Sequence, residues 1–293
     1  MKQNYIALLI SGNVRTFVLK EQILFFQRLI DYLHLHFYHV HTYIVLKIPI
    51  EYEYEFINSK SGLDNFQELM QIIKPEYLYC FHDFIYENGF NEFNSQFKIL
   101  DMCIEKAIEK QQAETFEYDM FFRVRPDSCF LLSELEIEKK LDNKIYTSIK
   151  FDSIANDQVF LFNGYILEYW WILFIQDMLS RPMPGHIPEN SLFECHTEIV
   201  EQCFRSWLVR DYAVTDNWNI CIPAKRFTTE LHDEYIWGEL DIYQTLLIPI
   251  SHEEFMRLMR EIVEKYHGNI GTFLHFDLFT EKKDFEQMLS LLP

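Results

Sequence analysis

In the first half of the chain, short apolar runs alternate with segments whose apolar residues recur at helical spacing. A continuous apolar run at 5–10 fits a buried strand, β-branched and aromatic residues predict a second strand at 39–48, and a third is predicted at 76–81. Between these runs, the periodicity predicts helices at 18–33 and 63–73. This alternation is typical of βαβ units, in which helices cover the faces of a sheet.

The second half of the chain is less regular. A long helix is predicted at 94–112, and a predicted strand at 118–124 is ended by Arg125-Pro126-Asp127. Further strands are predicted at 144–149, 157–162 and 220–222, and further helices at 165–179, 197–207, 253–266 and 282–291. The pattern therefore predicts an α/β fold with a mixed central sheet flanked by helices. A helical C-terminal extension (246–293) is expected to pack on the main domain (1–245).

The chain is strongly acidic, with 26 lysines and arginines against 45 aspartates and glutamates and a formal net charge of −19. Such a field repels nucleic-acid backbones and anionic lipid headgroups, so general binding to either is not expected. It would also repel a nucleotide diphosphate, unless arginine, lysine or a metal ion neutralises the phosphates locally. Basic residues that are concentrated in one place are therefore informative in this sequence.

The sequence contains no recognisable membrane span or secretory leader. No apolar run approaches the roughly 20 residues that a membrane helix needs. The N-terminus passes from Met1-Lys2-Gln3-Asn4 directly into a short apolar segment. The six cysteines are scattered without a Cys-x-x-Cys pair, which favours reduced thiols. We expect a cytoplasmic protein.

The first segment that suggests chemistry is ISGNVRT at 10–16, between the first strand and the first helix. In open α/β sheets, ligands bind at the carboxyl ends of strands and beside helix N-termini. Gly12 permits a tight turn and a close backbone approach, and Arg15 offers a guanidinium fork to a phosphate. The alternative is an ordinary strand-to-helix turn with a surface arginine.

The second segment is YDMFFRVRPD at 118–127. Arg123 and Arg125 are two residues apart, so they are predicted to share one face of a strand. Two arginines on a mostly apolar strand are costly unless an anionic group meets them. Asp127 follows at the carboxyl end of the strand, where it could hold a divalent metal that bridges a diphosphate. The alternative is a buried Arg–Asp salt bridge.

Four short motifs occur here in the order in which they recur in small GT-A glycosyltransferases. They are ISGNVRT, Gln96-Phe97-Lys98, YDMFFRVRPD and Asn156-Asp157-Gln158-Val159-Phe160, and the sequence resembles that family over about residues 5–230. Members occur in bacteria and plants, and similar enzymes are encoded by large algal viruses, for which the location would be the host cytoplasm. The resemblance implies a GT-A-like, Rossmann-related fold. It also implies sugar transfer from a nucleotide-sugar donor, most often a UDP-sugar, to a glycan or glycoprotein acceptor.

The resemblance further implies which residues bind the donor. Ser11, Gly12, Asn13 and Arg15 would line the nucleotide pocket, and Gln96 and Lys98 would face the nucleotide or its phosphates. Arg125-Pro126-Asp127 is similar to the Asp-x-Asp motif of GT-A enzymes, with Asp127 as the carboxylate for Mn²⁺ or Mg²⁺. The first acidic position is Arg125 here, and an arginine could take over part of the neutralisation. His232 is a candidate for a late metal ligand, and a plain loop histidine is the alternative.

In inverting GT-A enzymes, which this sequence resembles, the base that deprotonates the acceptor hydroxyl is commonly a carboxylate at the start of a helix. Glu189, Glu194 and Glu198 precede or begin the predicted helix at 197–207. Glu198 is our candidate base, with Glu189 as a second, and these carboxylates favour an inverting mechanism. The alternative is a first-turn glutamate that only complements the helix dipole. Asp157 could project into the acceptor side of the cleft, or it could be a turn aspartate.

Two further patterns favour structural interpretations. His34, His36, His39 and His41 straddle a predicted helix-to-strand connection and have no supporting cysteine, so zinc binding is not expected. The aromatic run Tyr169-Trp170-Trp171 fits a core helix, and stacking on a sugar ring is the alternative.

Two other functions stay open. A nucleotidyltransferase also combines an α/β sheet with a carboxylate–metal site, but it would carry a glycine-rich loop with a lysine after the first strand. ISGNVRT has one glycine and no lysine. A catalytically degenerate GT-A domain that binds glycans or supports assembly is the second, because the first acidic position of the metal motif is replaced. The many aromatic residues, 27 Phe and 17 Tyr, are compatible with a homodimer.

Overall fold

The computed structural model describes residues 3–48, 60–82, 92–130, 145–150, 154–164, 167, 213–216, 220–221, 250–266 and 268–270. The strands are β1 (Gln3–Asn13), β2 (Phe37–Ile48), β3 (Tyr77–His82), β4 (Met120–Val124), β5 (Cys129–Phe130), β6 (Ile145–Lys150), β7 (Ile154–Phe162), β8 (Ala213–Asp216), β9 (Ile220–Cys221) and β10 (Asn269–Ile270). The helices are α1 (Lys20–His36), α2 (Lys60–Ile73), α3 (Glu92–Glu114) and α4 (His252–Lys265), and a 3₁₀ turn (Arg15–Val18) precedes α1. None of these described helices is both long and apolar enough to cross a membrane.

Eight of these strands form one mixed sheet in the order β10, β3, β2, β1, β4, β7, β6, β8. The first five are parallel to their neighbours. β7 runs antiparallel to both β4 and β6, and β8 is parallel to β6. β5 and β9 form a separate antiparallel pair. The predicted α/β class with a mixed central sheet is therefore confirmed, and the arrangement is consistent with a GT-A-like fold.

The direction in which the sheet grows reverses at β1. From β1 the chain passes through α1 to β2 and through α2 to β3, and each step moves further to one side. α3 then returns the chain to the other side of β1, where β4 pairs with it. Ligands of open α/β sheets bind outside the carboxyl ends of strands at such a reversal. The topology therefore makes the carboxyl ends of β1 and β4 the first place to look for a site.

Apolar side chains pack on both faces of the sheet. One face packs with α1, α2 and α4 in a core that includes Leu8, Phe26, Ile44, Phe66, Phe122 and Met259. The other face packs on α3 in a smaller core that includes Leu9, Val45, Leu100, Ile104 and Phe121. Neighbouring residues of a strand point to opposite faces, so both sets must be apolar. This explains the nearly continuous apolar runs of the central strands.

Helix α4 and strand β10 belong to the same folded unit as the main sheet. The hydroxyl of the cap residue Ser251 accepts a hydrogen bond from Glu254 N, and Phe255 is buried against the core of α1 and α2. β10 then pairs with β3 at the edge of the sheet. A Cβ built on Gly268 would lie 1.7 Å from the Leu78 carbonyl oxygen, so a glycine is required where the chain enters β10.

The structure differs from the sequence-based assignment at several points. β1 continues through Gly12 to Asn13, where the sequence predicts a turn, because these residues pair with Leu46 and Lys47. β4 ends at Val124, so the prediction that Arg125 shares a strand face with Arg123 is wrong. The short strands β5, β8 and β10 carry no clear sequence pattern. The predicted helices at 165–179, 197–207 and 282–291 lie outside the described residues apart from Leu167, and the boundary after residue 245 stays a prediction.

Candidate functional site

Two short segments meet at the carboxyl ends of β1 and β4. Leu9 of β1 is in register with Arg123 of β4, so the residues that follow each of them lie at one edge of the sheet. Gly12 has a φ of +146°, and a Cβ built on it would lie 3.1 Å from Cδ of Pro126. Glycine therefore permits both this backbone conformation and the close approach of the loop that follows β4.

The loop after β4 contains an ion pair between Arg125 and Asp127. Nε and Nη2 of Arg125 donate to the two carboxylate oxygens of Asp127 over 2.9 and 2.7 Å. The Asp127 side chain is 2% exposed and that of Arg125 is 14% exposed. A two-pronged contact of this kind fixes the orientation of the guanidinium. It is the salt bridge that the sequence leaves open as the alternative to a metal-binding carboxylate.

The amide of Gln22 connects the start of α1 to this loop. Its Nε2 donates to the carbonyl oxygens of Pro126 and Ser128 over 2.7 and 3.2 Å, and the side chain is fully buried. Within the loop, Ser128 N donates to the Arg125 carbonyl over 3.1 Å. Buried carbonyl groups are costly to leave without donors. Gln22 therefore holds the loop against the helix.

Two cationic side chains lie on the α3 face of the sheet. Arg123 follows Phe121 by two positions in β4, and Lys47 follows Val45 by two in β2, so both alternate onto the face that packs on α3. Arg123 is fully buried and Lys47 is 7% exposed. Burial raises the pKa of the Cys103 thiol of α3, and the nearby charge of Arg123 acts in the opposite direction. Two basic side chains are therefore part of the interior near this edge.

Two buried hydroxyl groups lie close to the same strand ends. Ser11 alternates with Leu9 onto the α3 face, and Ser128 belongs to the loop after β4. Both side chains are fully buried, and neither Oγ has a hydrogen-bond partner in the part of the chain that the structure describes. A buried hydroxyl without a partner is costly. Because a hydroxyl can both donate and accept, these two groups could bind polar atoms of a ligand.

Helix α3 carries the two further residues that the resemblance assigns to the donor. Lys98 Nζ lies 2.8 Å from Asp101 Oδ2 and 3.7 Å from Glu105 Oε1. Burial acts to lower the pKa of Lys98, but the hydrogen bonds and charges of Asp101 and Glu105 together outweigh it, so the pKa is raised. Lys98 is thus a cation that contacts carboxylates of its own helix. Gln96 lies within α3, and its side chain is not among the described ones.

The remaining candidates are placed only in part. Asn13 ends β1, and Arg15 begins the 3₁₀ turn without a described side chain. Asp157 lies in β7, two residues before Val159, which pairs with Val124. The backbone of Asp157 therefore lies towards the same edge of the sheet. The last candidates lie outside the described residues: Glu189, Glu194, Glu198, His232 and the run Tyr169-Trp170-Trp171.

The fit of a divalent metal depends on Asp127. Within the described ranges, no group of three or more His, Cys, Asp and Glu side chains is placed to hold a metal ion. Both oxygens of Asp127 accept from Arg125, so this carboxylate fits a guanidinium as it stands. A carboxylate has about four lone-pair sites, so a cation could share Asp127 with the guanidinium only against the repulsion of its charge. The Mn²⁺ or Mg²⁺ expected from the resemblance stays a prediction.

Three residues of this edge are missed by motif-based reasoning. Gln22 lies four residues before Phe26 on the buried stripe of α1, and Lys47 interrupts the apolar run of β2. A polar residue at an apolar position of a pattern signals an interior polar contact, and that signal could have found both. Ser128 follows the Arg-Pro-Asp motif directly, and no pattern marks it.

Comparison with known proteins gives little further information. No protein-family model matches the chain, and no curated protein matches it. Among solved structures, the chain is similar to one described as the crystal structure of a glycosyltransferase involved in the glycosylation of the major capsid of PBCV-1. The sequence identity is 13%, the TM-score is 0.33, and the match covers 60% of this chain and 81% of that one. A TM-score of this size supports no conclusion about activity.

Proposed function

We propose that this chain is a GT-A-type glycosyltransferase that moves a sugar from a nucleotide-diphosphate sugar to a hydroxyl of a glycan. One observation carries the proposal: Gly12 and Pro126 are in close approach at the ends of β1 and β4, where the strand order reverses. These are the two segments in which the sequence resembles the donor-binding motifs of that family. Open α/β sheets bind nucleotides at this position.

The charges at this edge suit a diphosphate leaving group. Arg125 is held by Asp127 in one orientation, and Arg123 is buried in β4, the strand that precedes this loop. When the bond between the anomeric carbon and the diphosphate oxygen breaks, negative charge grows on the diphosphate. Fixed cations in a partly dry site stabilise that charge with little reorganisation. They also counter the repulsion from a chain of formal charge −19.

The acceptor hydroxyl needs a base. We propose Glu198 for this role, with Glu189 and Asp157 as the other candidates. The base takes the hydroxyl proton as the acceptor oxygen attacks the anomeric carbon from the side opposite the diphosphate, which inverts the stereochemistry. Support comes from the position of the glutamates before or at the start of a predicted helix, and from the backbone position of Asp157 in β7.

The donor, the acceptor and the setting follow the family resemblance. We propose a UDP-sugar as donor and a glycan or glycoprotein as acceptor. The cytoplasmic location and the homodimer stay predictions, as does the role of His232. A metal-dependent mechanism requires Asp127 to bind a cation beside Arg125 or in its place, whereas a mechanism based on the arginines leaves the ion pair as it is.

The proposal is tested by donor hydrolysis with the full chain across a panel of nucleotide sugars. Each donor is assayed with Mn²⁺ and with EDTA, and the released nucleotide is measured. We expect release of UDP from at least one UDP-sugar, and faster release when the acceptor glycan is supplied. Activity that survives EDTA would assign the neutralisation to the arginines, and activity that requires Mn²⁺ would assign it to a metal. Absence of hydrolysis and of nucleotide binding across the panel would overturn the proposal.

One observation favours a second function, that of a catalytically degenerate GT-A domain. The carboxylate that would hold the metal is already engaged by Arg125. A domain of this kind would bind glycans without turning over any donor. A glycan-binding array together with the hydrolysis panel separates the two functions, because glycan binding without nucleotide binding fits only the degenerate domain.

A further inference from the structure

We propose that Lys47 binds the diphosphate of the donor as a third cation beside Arg123 and Arg125. The identity of the ligand rests on the proposed function, and the choice of residue rests on its place in the sheet. Lys47 is the penultimate residue of β2, which lies next to β1 and parallel to it. Its side chain therefore comes from a third strand to the edge at which β1 and β4 end.

Lys47 shares a sheet face with two other polar residues of this edge. Ser11 in β1, Lys47 in β2 and Arg123 in β4 all alternate onto the side that packs on α3. All three side chains are at least nine-tenths buried. Ser11 Oγ has no hydrogen-bond partner among the described residues, which is an independent sign that a ligand atom belongs there.

Lys47 and Arg123 reach this edge from opposite sides of β1. Lys47 is in register with Asn13 of β1, and Arg123 is in register with Leu9 of the same strand. Their Cα atoms are therefore about 10 Å apart across the sheet and about 13 Å apart along it. Both side chains are long, and cations that approach from separate strands contact different phosphate oxygens. Lysine serves as a point charge for phosphate, whereas arginine adds a directed fork.

The low exposure of Lys47 determines how strongly its charge contributes to anion binding. A surface lysine of an acidic protein is screened by solvent and salt and attracts a phosphate only weakly. Lys47 is 7% exposed, so its charge acts through a medium of lower effective dielectric constant. Its removal should therefore weaken anion binding far more than removal of an exposed lysine would.

The test measures binding of three probes to the full chain by titration calorimetry: inorganic pyrophosphate, UDP and uridine. The variant is Lys47→Met, which keeps the length of the side chain and removes the charge. We expect its Kd for pyrophosphate and UDP to rise about tenfold or more, because one charge-assisted hydrogen bond is lost. Binding of uridine, which carries no phosphate, should be unchanged.

Lys106→Met is the matched control. Lys106 lies on α3, its side chain is 36% exposed, and it pairs with Glu109 over 2.6 Å. The substitution changes the net charge by the same amount, so it should leave all three affinities as they are. If Lys106→Met weakens pyrophosphate binding as much as Lys47→Met, the effect is one of net charge and the proposal is wrong. Equal affinities of wild type and Lys47→Met would overturn it as well.

The outcomes also separate this inference from the proposed function. If the wild type binds pyrophosphate and Lys47→Met does not, Lys47 is an anion-binding residue even when no sugar is transferred. If sugar transfer is found but Lys47→Met binds UDP normally, only the inference fails. If the wild type binds neither pyrophosphate nor UDP, both fail. Circular dichroism checks that the variant folds. If Lys47→Met does not fold, the same titrations are made with Lys47→Arg and Lys47→Gln. We then expect Lys47→Arg to keep pyrophosphate binding and Lys47→Gln to lose it.

Discussion

The two ends of β4 differ in how their polar groups are used. At the amino end, Asp119 Oδ2 accepts hydrogen bonds from Asn4 N and Tyr5 N over 2.8 and 2.9 Å, and Asp119 N donates to the Tyr5 carbonyl. At the carboxyl end, five residues later, buried cations lie near two hydroxyls, of Ser11 and Ser128, that have no partner in the described part of the chain. The polar groups named at the amino end are satisfied by the fold, whereas the two hydroxyls at the carboxyl end have no partner among the described residues.

The amino end is also closed by aromatic packing. Tyr5 is stacked between His39 and Phe116, with ring centroids 4.5 and 4.3 Å away. The Tyr118 hydroxyl lies 2.6 Å from that of Tyr43 and 2.8 Å from Nδ1 of His41. Burial raises the pKa of both tyrosines, so their hydroxyls stay protonated and can share these hydrogen bonds.

A single sequence motif thus combines two kinds of residue. In the first half of YDMFFRVRPD, Asp119 attaches β4 to β1 and Tyr118 bonds to side chains of β2, whereas the Arg123 to Asp127 half supplies charged groups at the strand ends. A satisfied hydrogen-bond network stabilises a fold and offers little to a ligand. Buried charge and unsatisfied hydroxyls are costly to the fold, which makes their end of β4 the candidate for function.

The largest expected contrast is between alanine substitutions at the two aspartates of this motif. Asp127→Ala should lower donor turnover at least about 100-fold, because Arg125 loses the partner that orients it. It should also destabilise the fold by about 3 kcal/mol, since a nearly buried guanidinium loses its counter-charge. Donor hydrolysis kinetics and thermal unfolding measure the two effects.

Asp119→Ala is the comparison at the other end. It removes the acceptor of two backbone N–H groups, so we expect a loss of about 1–2 kcal/mol of unfolding free energy. Turnover per folded molecule should be unchanged. If Asp127→Ala proves too unstable, Asp127→Asn keeps the shape and tests the same charge. Equal loss of turnover in both aspartate variants would remove the distinction between the two ends.

A smaller effect is expected from Gly12→Ala. The φ of +146° is strained for alanine, and its Cβ would lie 3.1 Å from Pro126 Cδ, so the loop after β4 must move. The strain should cost about 1–3 kcal/mol. The displaced loop should raise the KM for the donor more than it lowers kcat. Gly164, whose Cβ position is open, provides the control in Gly164→Ala. A donor KM that is unchanged in Gly12→Ala would show that the approach of the loop is not needed.

The elements of the parallel half of the sheet are predictable from periodicity because each carries a long apolar pattern. α2 shows this best, since its buried side chains are those of the apolar stripe, whereas β2 follows its pattern apart from the buried Thr42 and Lys47. The end of β1 is not predictable in this way. Ser11, Gly12 and Asn13 are typical turn residues, yet they stay in the strand because β2 runs alongside as far as Ile48. Tertiary pairing overrides the local preference here.

The candidate site is predictable in its location and less so in its contacts. The predicted strand ends and the short motifs predict that Gly12, Arg123 and Asp127 lie at one edge of the sheet. The reason is that the topology brings the carboxyl ends of parallel strands together. The pairing of Asp127 with Arg125 depends on the path of a three-residue turn, which motif and period do not specify. Gln22 reaches the loop from another element altogether. Such contacts depend on three-dimensional packing, so the sequence allows them without selecting them.

The smallest expected effect is a pH dependence of stability at the amino end of β4. Burial lowers the pKa of His41 below its ordinary value of 6.5; the charges of Glu76 and Glu114 act to raise it, and that of Lys110 to lower it. The unfolded chain therefore binds a proton at a higher pH than folded His41 does. The contribution of neutral His41 to the free energy of unfolding is complete above pH 6.5. It is lost as the pH falls from there through the lower pKa of the folded state.

His41→Phe should remove this contribution, because phenylalanine keeps an aromatic ring beside Phe116 and cannot be protonated. The difference in thermal unfolding temperature between wild type and variant, followed from about pH 7.5 to about pH 5, isolates His41 from the other histidines. We expect the wild type to lose more stability than the variant on acidification. Donor turnover at neutral pH should be the same in both, since His41 lies at the opposite end of the sheet from the candidate site. Parallel curves would mean that the contact with Tyr118 is made equally well by a protonated ring. If donor turnover in His41→Phe falls together with its stability, the amino end of β4 also affects the candidate site, and the two ends are not independent.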